Sequence, residues 1–151
     1  MSQVLEQVSP TAGFHRVIDL AMPLRWGDMD AFGHVNNTVY FRFMEETRIS
    51  WFRELAIAGA NVEGQGPVIV NASMEFLRQL HYPGDVIGSM FVGPPGRSSF
   101  DTRFELYRAD DPSTLYARGT AKCVWIDYAA AKSVQIPDLL RHAIEAAGTG
   151  A

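Results

Sequence analysis

The strongest structural signal in this chain of 151 residues is one long amphipathic helix. Beginning at Tyr40, mostly apolar side chains recur at positions i+3, i+4, i+7, i+11 and i+15, and this spacing places them on one stripe of a helix. Asn36 or Asn37 can cap the N-terminus and Gly59 can end the helix, so the pattern predicts a helix over about residues 38–58. The apolar stripe is expected to face the core.

On both sides of this helix the sequence has the period of two that is typical of strands. One strand is predicted before the helix, and four follow in succession, separated by turns rich in glycine, proline and aspartate. The predicted strands cover about residues 14–24, 68–77, 86–92, 98 to the turn at 109–112, and 115–126. Residues 64–67 are predicted to be a flexible connection, and a short helix is predicted over 137–147 with Pro137 at its first position. This order predicts an α+β fold with a mainly antiparallel sheet.

Length and composition fit one soluble domain. The chain is 47% apolar and 20% charged, which is close to the average for globular proteins. Residues 1–12 are polar and irregular and are predicted to be disordered, so the domain is expected to occupy residues 13–147. The first 13 residues lack the basic start and the apolar run of a signal peptide, and no later segment is long enough to span a bilayer.

Charge and cysteine content narrow the expected partners. A net charge of −4 without blocks of like charge argues against nucleic acid or a membrane surface, whereas a small phosphate-bearing ligand needs only a local cluster of Arg or Lys. Cys123 is the single cysteine, so no intrachain disulfide can form and a cytoplasmic location is expected. The four histidines lack metal-ligand spacing, so no metal site is expected.

The densest polar cluster lies between the first strand and the long helix, in residues 25–37. Two glycines and four Asp or Asn residues in this stretch are typical of a turn system. The helix that follows presents unpaired N–H groups and a partial positive charge at its N-terminus, which can polarise a carbonyl or hold an oxyanion. A carboxylate in the same loop could then attack that carbonyl or activate water.

The segment Asp30–Asn37, DAFGHVNN, followed by Tyr40, resembles the D-x-x-G-H-V-N-N-x-x-Y signature of hotdog-fold acyl-CoA thioesterases, the 4-hydroxybenzoyl-CoA thioesterase-like family. The turn at residues 82–85 and residues 96–99 resemble two further segments of that family, so the resemblance covers about residues 14–140. Membership implies an antiparallel sheet wrapped around one long central helix. It also implies homodimers or homotetramers in which sheets join edge to edge and active sites are shared between subunits.

The resemblance implies hydrolysis of an acyl-CoA thioester without a metal or a redox cofactor, and it implies a role for each matching residue. Asp30 corresponds to the catalytic residue that attacks the thioester or activates water. The backbone N–H near Asn37 corresponds to the catalytic donor that polarises the thioester carbonyl. The positions expected to bind or orient the substrate are His34, Asn36, Tyr40, Glu46, Arg97 and Ser98.

Considered one by one, several of these residues have other interpretations. Asp30 alone fits an ordinary turn residue, and Asp28 is a second carboxylate in the loop, although its spacing to Gly33 does not match the signature. Cys123 fits a small buried side chain better than a nucleophile. Four cations fit either phosphate-binding groups or solvated charges at strand edges: Arg78, Arg97, Arg103 and Lys132.

Three functions therefore have to be compared. The leading hypothesis is an acyl-CoA thioesterase with Asp30 as general base or nucleophile. Hydrolysis of thioesters on acyl carrier protein is the second, and it would require a basic docking patch that the sequence does not show. A non-catalytic acyl-CoA binding protein is the third, although binding alone gives no reason for a carboxylate beside a thioester.

Overall fold

The computed structural model describes residues 12–57 and 59–150. Of the segment predicted to be disordered, residues 1–11 lie outside the described residues. The strands are β1 (His15–Pro23), β2 (Gln65–Phe76), β3 (Asp85–Val92), β4 (Ser99–Arg108), β5 (Asp111–Asp127) and β6 (Lys132–Ser133). The helices are α1 (Asn37–Ile57) and α2 (Asp138–Thr149).

The strands form one antiparallel sheet in the order β1-β3-β4-β5-β2, and the short β6 pairs with β5. Strands β3, β4 and β5 are joined by short turns and lie in the middle, whereas β1 and β2 lie at the outer positions of the five-strand order. This arrangement confirms the predicted α+β fold and the predicted order of strand, long helix, four strands and terminal helix.

Helix α1 packs its apolar stripe against one face of this sheet. Near its N-terminus, Tyr40 and Phe43 pack in a cluster with Leu80 and Leu106. The later part of the stripe joins a second cluster, which includes Met44, Trp51, Met90, Phe100, Phe104, Cys123, Trp125, Leu140 and Ile144. The stripe predicted from the sequence is therefore the buried face of the helix.

Helix α1 and the sheet come very close together at Gly88 of β3. A Cβ atom at this position would overlap Oγ1 of Thr47 and would lie 2.9 Å from the terminal methyl of Met22. The Thr47 side chain is fully buried, and its hydroxyl donates a hydrogen bond to the Phe43 carbonyl at 2.7 Å. Glycine at this position thus lets α1 lie directly on the sheet.

Two strand boundaries were predicted wrongly. Residues 64–67 are largely part of β2 rather than a flexible connection, because β2 is the last strand of the five-strand order and Pro67 can occupy such a position without breaking an interior ladder. β5 begins at Asp111 instead of residue 115, since shifts in its register against β4 near Tyr107 absorb the extra residues. The alternation of apolar and polar residues in the sequence reveals neither a proline that an edge strand tolerates nor a shift in strand register.

Smaller differences occur at the helix ends and in short elements. α1 begins at Asn37, one residue earlier than predicted, and Pro137 precedes α2 instead of occupying its first position. The two-residue β6 and a turn of 3₁₀ helix at Trp26–Asp28 were not predicted. Elements of two or three residues are too short to show a periodic pattern.

Candidate active site

The loop between β1 and α1 doubles back on itself around Asp30. After the 3₁₀ turn at Trp26–Asp28, the Asp30 N–H donates to the His34 carbonyl at 2.8 Å, and the Gly33 N–H donates to the Asp30 carbonyl at 3.1 Å. Gly33 has a φ of 79°, in the left-handed region that favours glycine. The glycine of the signature therefore closes a tight turn that begins at Asp30.

Asp28 anchors this loop from inside the protein. Its side chain is 1% exposed, and its carboxylate accepts hydrogen bonds from the Arg25 N–H at 2.9 Å, from the Arg25 guanidinium at 3.2 Å and from the Arg42 guanidinium at 2.9 Å. The Asp28 carbonyl also accepts the Asn36 N–H at 2.9 Å. The structure thus gives Asp28 a supporting role in the loop, and this agrees with a spacing to Gly33 that does not match the signature.

Asp30 lies two residues further on, in a different environment. It is half-buried, and its Oδ1 accepts the Phe32 N–H at 2.9 Å, whereas Oδ2 has no hydrogen-bond partner among residues 12–57 and 59–150. Asp30 lines an open cavity of about 500 Å³. The other residues lining that cavity are His34, Val35, Asn37, Tyr40, Phe76, Leu77, Arg78 and Gln79.

Helix α1 begins at the edge of this cavity. Asn36 is the N-cap, because its Oδ1 accepts the Thr38 N–H at 2.9 Å and the Thr38 hydroxyl at 2.7 Å. Asn37 is the first helical residue, so its N–H has no acceptor within the helix. The partial positive charge of the helix N-terminus and this N–H are therefore close to the cavity that Asp30 lines. Asn36 does not line that cavity, so its predicted contact with substrate stays a prediction.

Tyr40 lines the cavity, but its hydroxyl is used by the protein itself. The hydroxyl donates to the Arg78 carbonyl at 3.3 Å and accepts the Leu80 N–H at 3.0 Å. Burial raises the pKa of this phenol, and the hydrogen bond from Leu80 opposes that rise. The ring also packs edge-on against Phe76 at 5.0 Å between centroids. Tyr40 thus fixes the segment that follows β2. Because its hydroxyl is already hydrogen-bonded, Tyr40 can meet a substrate only through its ring.

His34 is half-buried at the same cavity and contacts a second histidine. Its ring packs edge-on against His81 at 4.9 Å between centroids, and Nδ1 of His81 lies 3.0 Å from the Gly33 carbonyl. Beside them, the Val35 N–H donates to the Leu80 carbonyl at 2.9 Å. The turn that contains Asp30 is therefore tied to the segment between β2 and β3.

Three predicted substrate-binding residues lie elsewhere in the chain. Glu46 is exposed on α1, with Oε1 3.8 Å from Nε of Arg42, and it lines a separate surface depression. Arg97 and Ser98 lie between β3 and β4, and their carbonyls accept backbone hydrogen bonds from Ile136 at 2.9 Å and Trp125 at 2.7 Å. None of the three lines the Asp30 cavity in one chain. Their assignment to the site stays a prediction.

Two other features concern Cys123 as a nucleophile and a possible metal site. Cys123 is fully buried in β5, and burial raises the pKa of its thiol to about 12, which opposes formation of a thiolate nucleophile. Within residues 12–57 and 59–150, no three His, Cys, Asp or Glu side chains are grouped closely enough to hold a metal ion.

Part of the cavity wall was missed in the sequence. Leu77 and Gln79 line the cavity and His81 contacts its loop, although nothing in their spacing connects them to Asp30. They come from the segment after β2, which the fold carries back to the start of α1. The one available signal was their position just before the Tyr-Pro-Gly-Asp turn, since that turn was already part of the resemblance.

Comparison with known proteins identifies the class. A family model described as the thioesterase-like superfamily matches residues 24–144. The solved structure of "PA2801 protein, a putative Thioesterase from Pseudomonas aeruginosa" is 36% identical and has a TM-score of 0.79, and the match covers 85% of this chain and 98% of that one. "A putative acyl-CoA thioesterase from Xanthomonas campestris (XC229)" is 30% identical, with a TM-score of 0.69 over 80% of this chain and 98% of that one. "Uncharacterized protein YsmA" of Bacillus subtilis is 35% identical over 57 residues, a stretch that spans 38% of each protein.

The chain therefore belongs to the thioesterase-like superfamily, and its sheet and long helix form the hotdog fold. This places it in the class of thioester hydrolases and confirms the family resemblance of the segment from Asp30 to Tyr40. In the part of the chain that the structure describes, no helix is long and apolar enough to cross a membrane.

The anchoring role of Asp28 can be tested with Asp28→Asn. Because the side chains of Arg42 and Arg25 are 31% and 67% exposed, both can be hydrated once the charge is lost. We therefore expect a loss of about 1–3 kcal/mol in the free energy of unfolding, less than the roughly 3–5 kcal/mol typical of a fully buried pair. The matched control is Asp101→Asn, which removes a surface pair with Lys122 at 3.7 Å, worth about 0–1 kcal/mol. Equal stability of the two variants in denaturant unfolding would contradict the role given to Asp28.

Proposed function

We propose that this protein hydrolyses acyl-CoA thioesters to a free carboxylic acid and coenzyme A, with Asp30 as the catalytic carboxylate. The observation that carries the proposal is the placement of Asp30: it is half-buried and lines a cavity of about 500 Å³ at which a long helix begins. A carboxylate and a helix N-terminus on one cavity supply a base or nucleophile and an electrophilic donor, which are the two groups that thioester hydrolysis needs.

Asp30 is held through one carboxylate oxygen and can react through the other. The hydrogen bond from Phe32 to Oδ1 restrains the side chain, and Oδ2 has no partner within the described residues. As a general base, Oδ2 accepts a proton from water while the water oxygen attacks the thioester carbon. As a nucleophile, it attacks that carbon itself and forms a mixed anhydride, which water then hydrolyses. In both routes the C–S bond breaks and coenzyme A leaves as the thiol after taking up a proton.

The start of α1 supplies the second part of the mechanism. Attack on the thioester moves negative charge onto its carbonyl oxygen. The Asn37 N–H has no intrahelical partner and lies at the positive end of the helix, so it is the donor best suited to that charge. The cap formed by Asn36 satisfies the next N–H, that of Thr38, and so leaves Asn37 as the available donor.

The remaining walls of the cavity fit an amphipathic substrate. Tyr40, Phe76 and Leu77 provide apolar surface, and Arg78 and Gln79 provide polar groups. Arg78 is the single Arg or Lys among the described residues that line the cavity. A phosphate of coenzyme A needs only such a local cation, whereas an acidic carrier protein would need a basic docking patch, which a net charge of −4 without blocks of like charge does not favour. A cytoplasmic location belongs to the same proposal, because Cys123 is the single cysteine and the chain can form no intrachain disulfide.

We also propose that the protein is a homodimer, or a tetramer built from dimers, joined along β2. β2 lies at one end of the five-strand order, and an uncovered strand of this kind is a template for pairing with another chain. Exposed apolar side chains lie at two places along this strand. Ile69 and Val70 are in its middle, and Phe76 and Leu77 are at and just after its end. Phe76 and Leu77 also line the cavity, so a partner at this edge would complete its wall.

The catalytic role of Asp30 is tested with Asp30→Asn, which keeps the size of the side chain but removes its basicity. We expect thiol release from acyl-CoA to fall by at least about 100-fold, the lower end of what general acid–base catalysis contributes. Affinity for a non-hydrolysable acyl-CoA analogue and the melting temperature should change little, and Asp101→Asn serves as the matched control. Near-normal turnover of Asp30→Asn would remove Asp30 from the mechanism. A wild-type protein that binds the analogue without releasing thiol would instead be a binding protein.

The helix end is tested with Asn37→Pro. Proline fits the first position of a helix and removes its N–H, so α1 should remain intact while the proposed donor is lost. We expect thiol release to fall by about 10²–10³, the usual effect of removing one oxyanion donor. Thr38→Pro is the comparison variant, since it removes the N–H that Asn36 caps and should mainly lower the melting temperature. If Asn37→Pro retains wild-type turnover, the Asn37 N–H is not the donor.

The assembly is tested by light scattering at micromolar concentration, where we expect a mass of at least two 16.7 kDa chains. Val70→Lys places a charge on the exposed middle of β2 and should shift the protein toward monomer. Val62→Lys is the matched control, because Val62 is also exposed but lies before the strand begins. A wild-type mass of one chain would overturn the proposed dimer.

A further inference from the structure

The imidazole of His81 is hydrogen-bonded to the turn that contains Asp30. Its Nδ1 lies 3.0 Å from the Gly33 carbonyl, and because a carbonyl can only accept, Nδ1 must carry the proton. Gly33 in turn donates its N–H to the Asp30 carbonyl at 3.1 Å. The side chain of His81 is therefore linked to Asp30 through one intervening residue of the turn.

A second set of contacts acts on the neighbouring residues of the same turn. The His81 ring packs edge-on against His34, whose carbonyl accepts the Asp30 N–H at 2.8 Å. The Leu80 carbonyl accepts the Val35 N–H at 2.9 Å. Residues 80–81 thus contact three consecutive residues, 33–35, on the returning side of the turn.

His81 itself stands on a fixed base, although its side chain is exposed. Leu80 is fully buried, and its N–H donates to the Tyr40 hydroxyl at 3.0 Å. The guanidinium of Arg108 donates to the carbonyls of His81 and Pro83, each at 2.7 Å. The backbone of His81 is therefore restrained on both sides, and its imidazole can transmit that restraint to Gly33.

We infer that His81 is a positioning residue that holds the Asp30 turn in the orientation required for attack on the thioester. The inference rests on the proposed role of Asp30. Among the described residues, the His81 imidazole forms no hydrogen bond to the Asp30 carboxylate or to the start of α1, so its effect passes through Gly33 and His34. Its loss should leave binding largely unchanged and should slow the chemical step, because a displacement of about 1 Å at a reacting group can cost about 100-fold in rate.

Three substitutions at this position separate positioning from a general structural effect. His81→Ala removes the donor. His81→Asn restores an N–H close to the position of Nδ1, whereas His81→Gln places its amide nearer to the position of Nε2, which does not contact Gly33. His142→Ala, on the exposed side of α2, is the matched control for loss of a histidine.

We expect His81→Ala to lower kcat by about 10–100-fold with KM changed less than about threefold, and with a melting temperature close to that of His142→Ala. His81→Asn should recover most of the lost kcat and His81→Gln should not. Hydrogen exchange at the amides of Asp30 and Val35 should be faster in His81→Ala and slower again in His81→Asn. Unchanged kcat in His81→Ala, equal recovery by Asn and Gln, or a loss confined to KM would each overturn the inference. Absence of turnover in the wild type, by contrast, would overturn the proposed function as well.

Discussion

The arrangement of the site depends on the hydrogen bonds and ion pairs of the buried residue Asp28. The Asp28 carboxylate joins the loop after β1 to α1 through the Arg42 guanidinium, and the backbone carbonyl of Asp28 accepts the Asn36 N–H. Asn36 is also the N-cap of α1, so the hydrogen bond from Asn36 to Asp28 ties the start of the helix to the loop. The base and the helix-end donor proposed for hydrolysis are thereby set relative to one another by a few short hydrogen bonds. Such preorganisation is what electrostatic stabilisation of a transition state requires.

A single chain brings together only part of the predicted site. Asp30, His34, Asn37 and Tyr40 line one cavity, and all of them come from the loop or the first turns of α1. Glu46 lies further along the helix, and Arg97 and Ser98 lie in the connection to β4, outside that cavity. The proposed pairing of β2 strands offers a physical reason, since a second subunit would approach the side of the cavity where Phe76 and Leu77 are exposed.

The parts of the structure that could be predicted are those in which one physical pattern extends over many residues. The stripe from Tyr40 to Leu55 located α1, and the alternation after residue 68 located the later strands. The errors arose where a local exception interrupts the pattern, as at Pro67 in β2 and at the register shift of Tyr107. Contacts between distant segments, such as His81 with Gly33, leave no trace in the spacing of either residue. The local signature could single out Asp30, whose catalytic role is a proposal, but it could not predict that the segment after β2 contacts the turn that begins at Asp30.

Asp28 and Asp30 show how a chain assigns opposite roles to two identical side chains separated by one residue. The Asp28 side chain is buried against Arg42, whereas Asp30 stands at the start of the tight turn and lines the cavity. Within the described part of the chain, the donors to the Asp28 carboxylate come from Arg25 and Arg42, and the buried oxygens are closed off from a substrate. Among residues 12–57 and 59–150, the Asp30 carboxylate accepts one hydrogen bond, from the Phe32 N–H to Oδ1, and Oδ2 has no partner. The carboxylate proposed for catalysis has to be restrained and yet reactive, and the turn closed by Gly33 suits both conditions because it restrains the backbone while Oδ2 has no hydrogen-bond partner within the described residues.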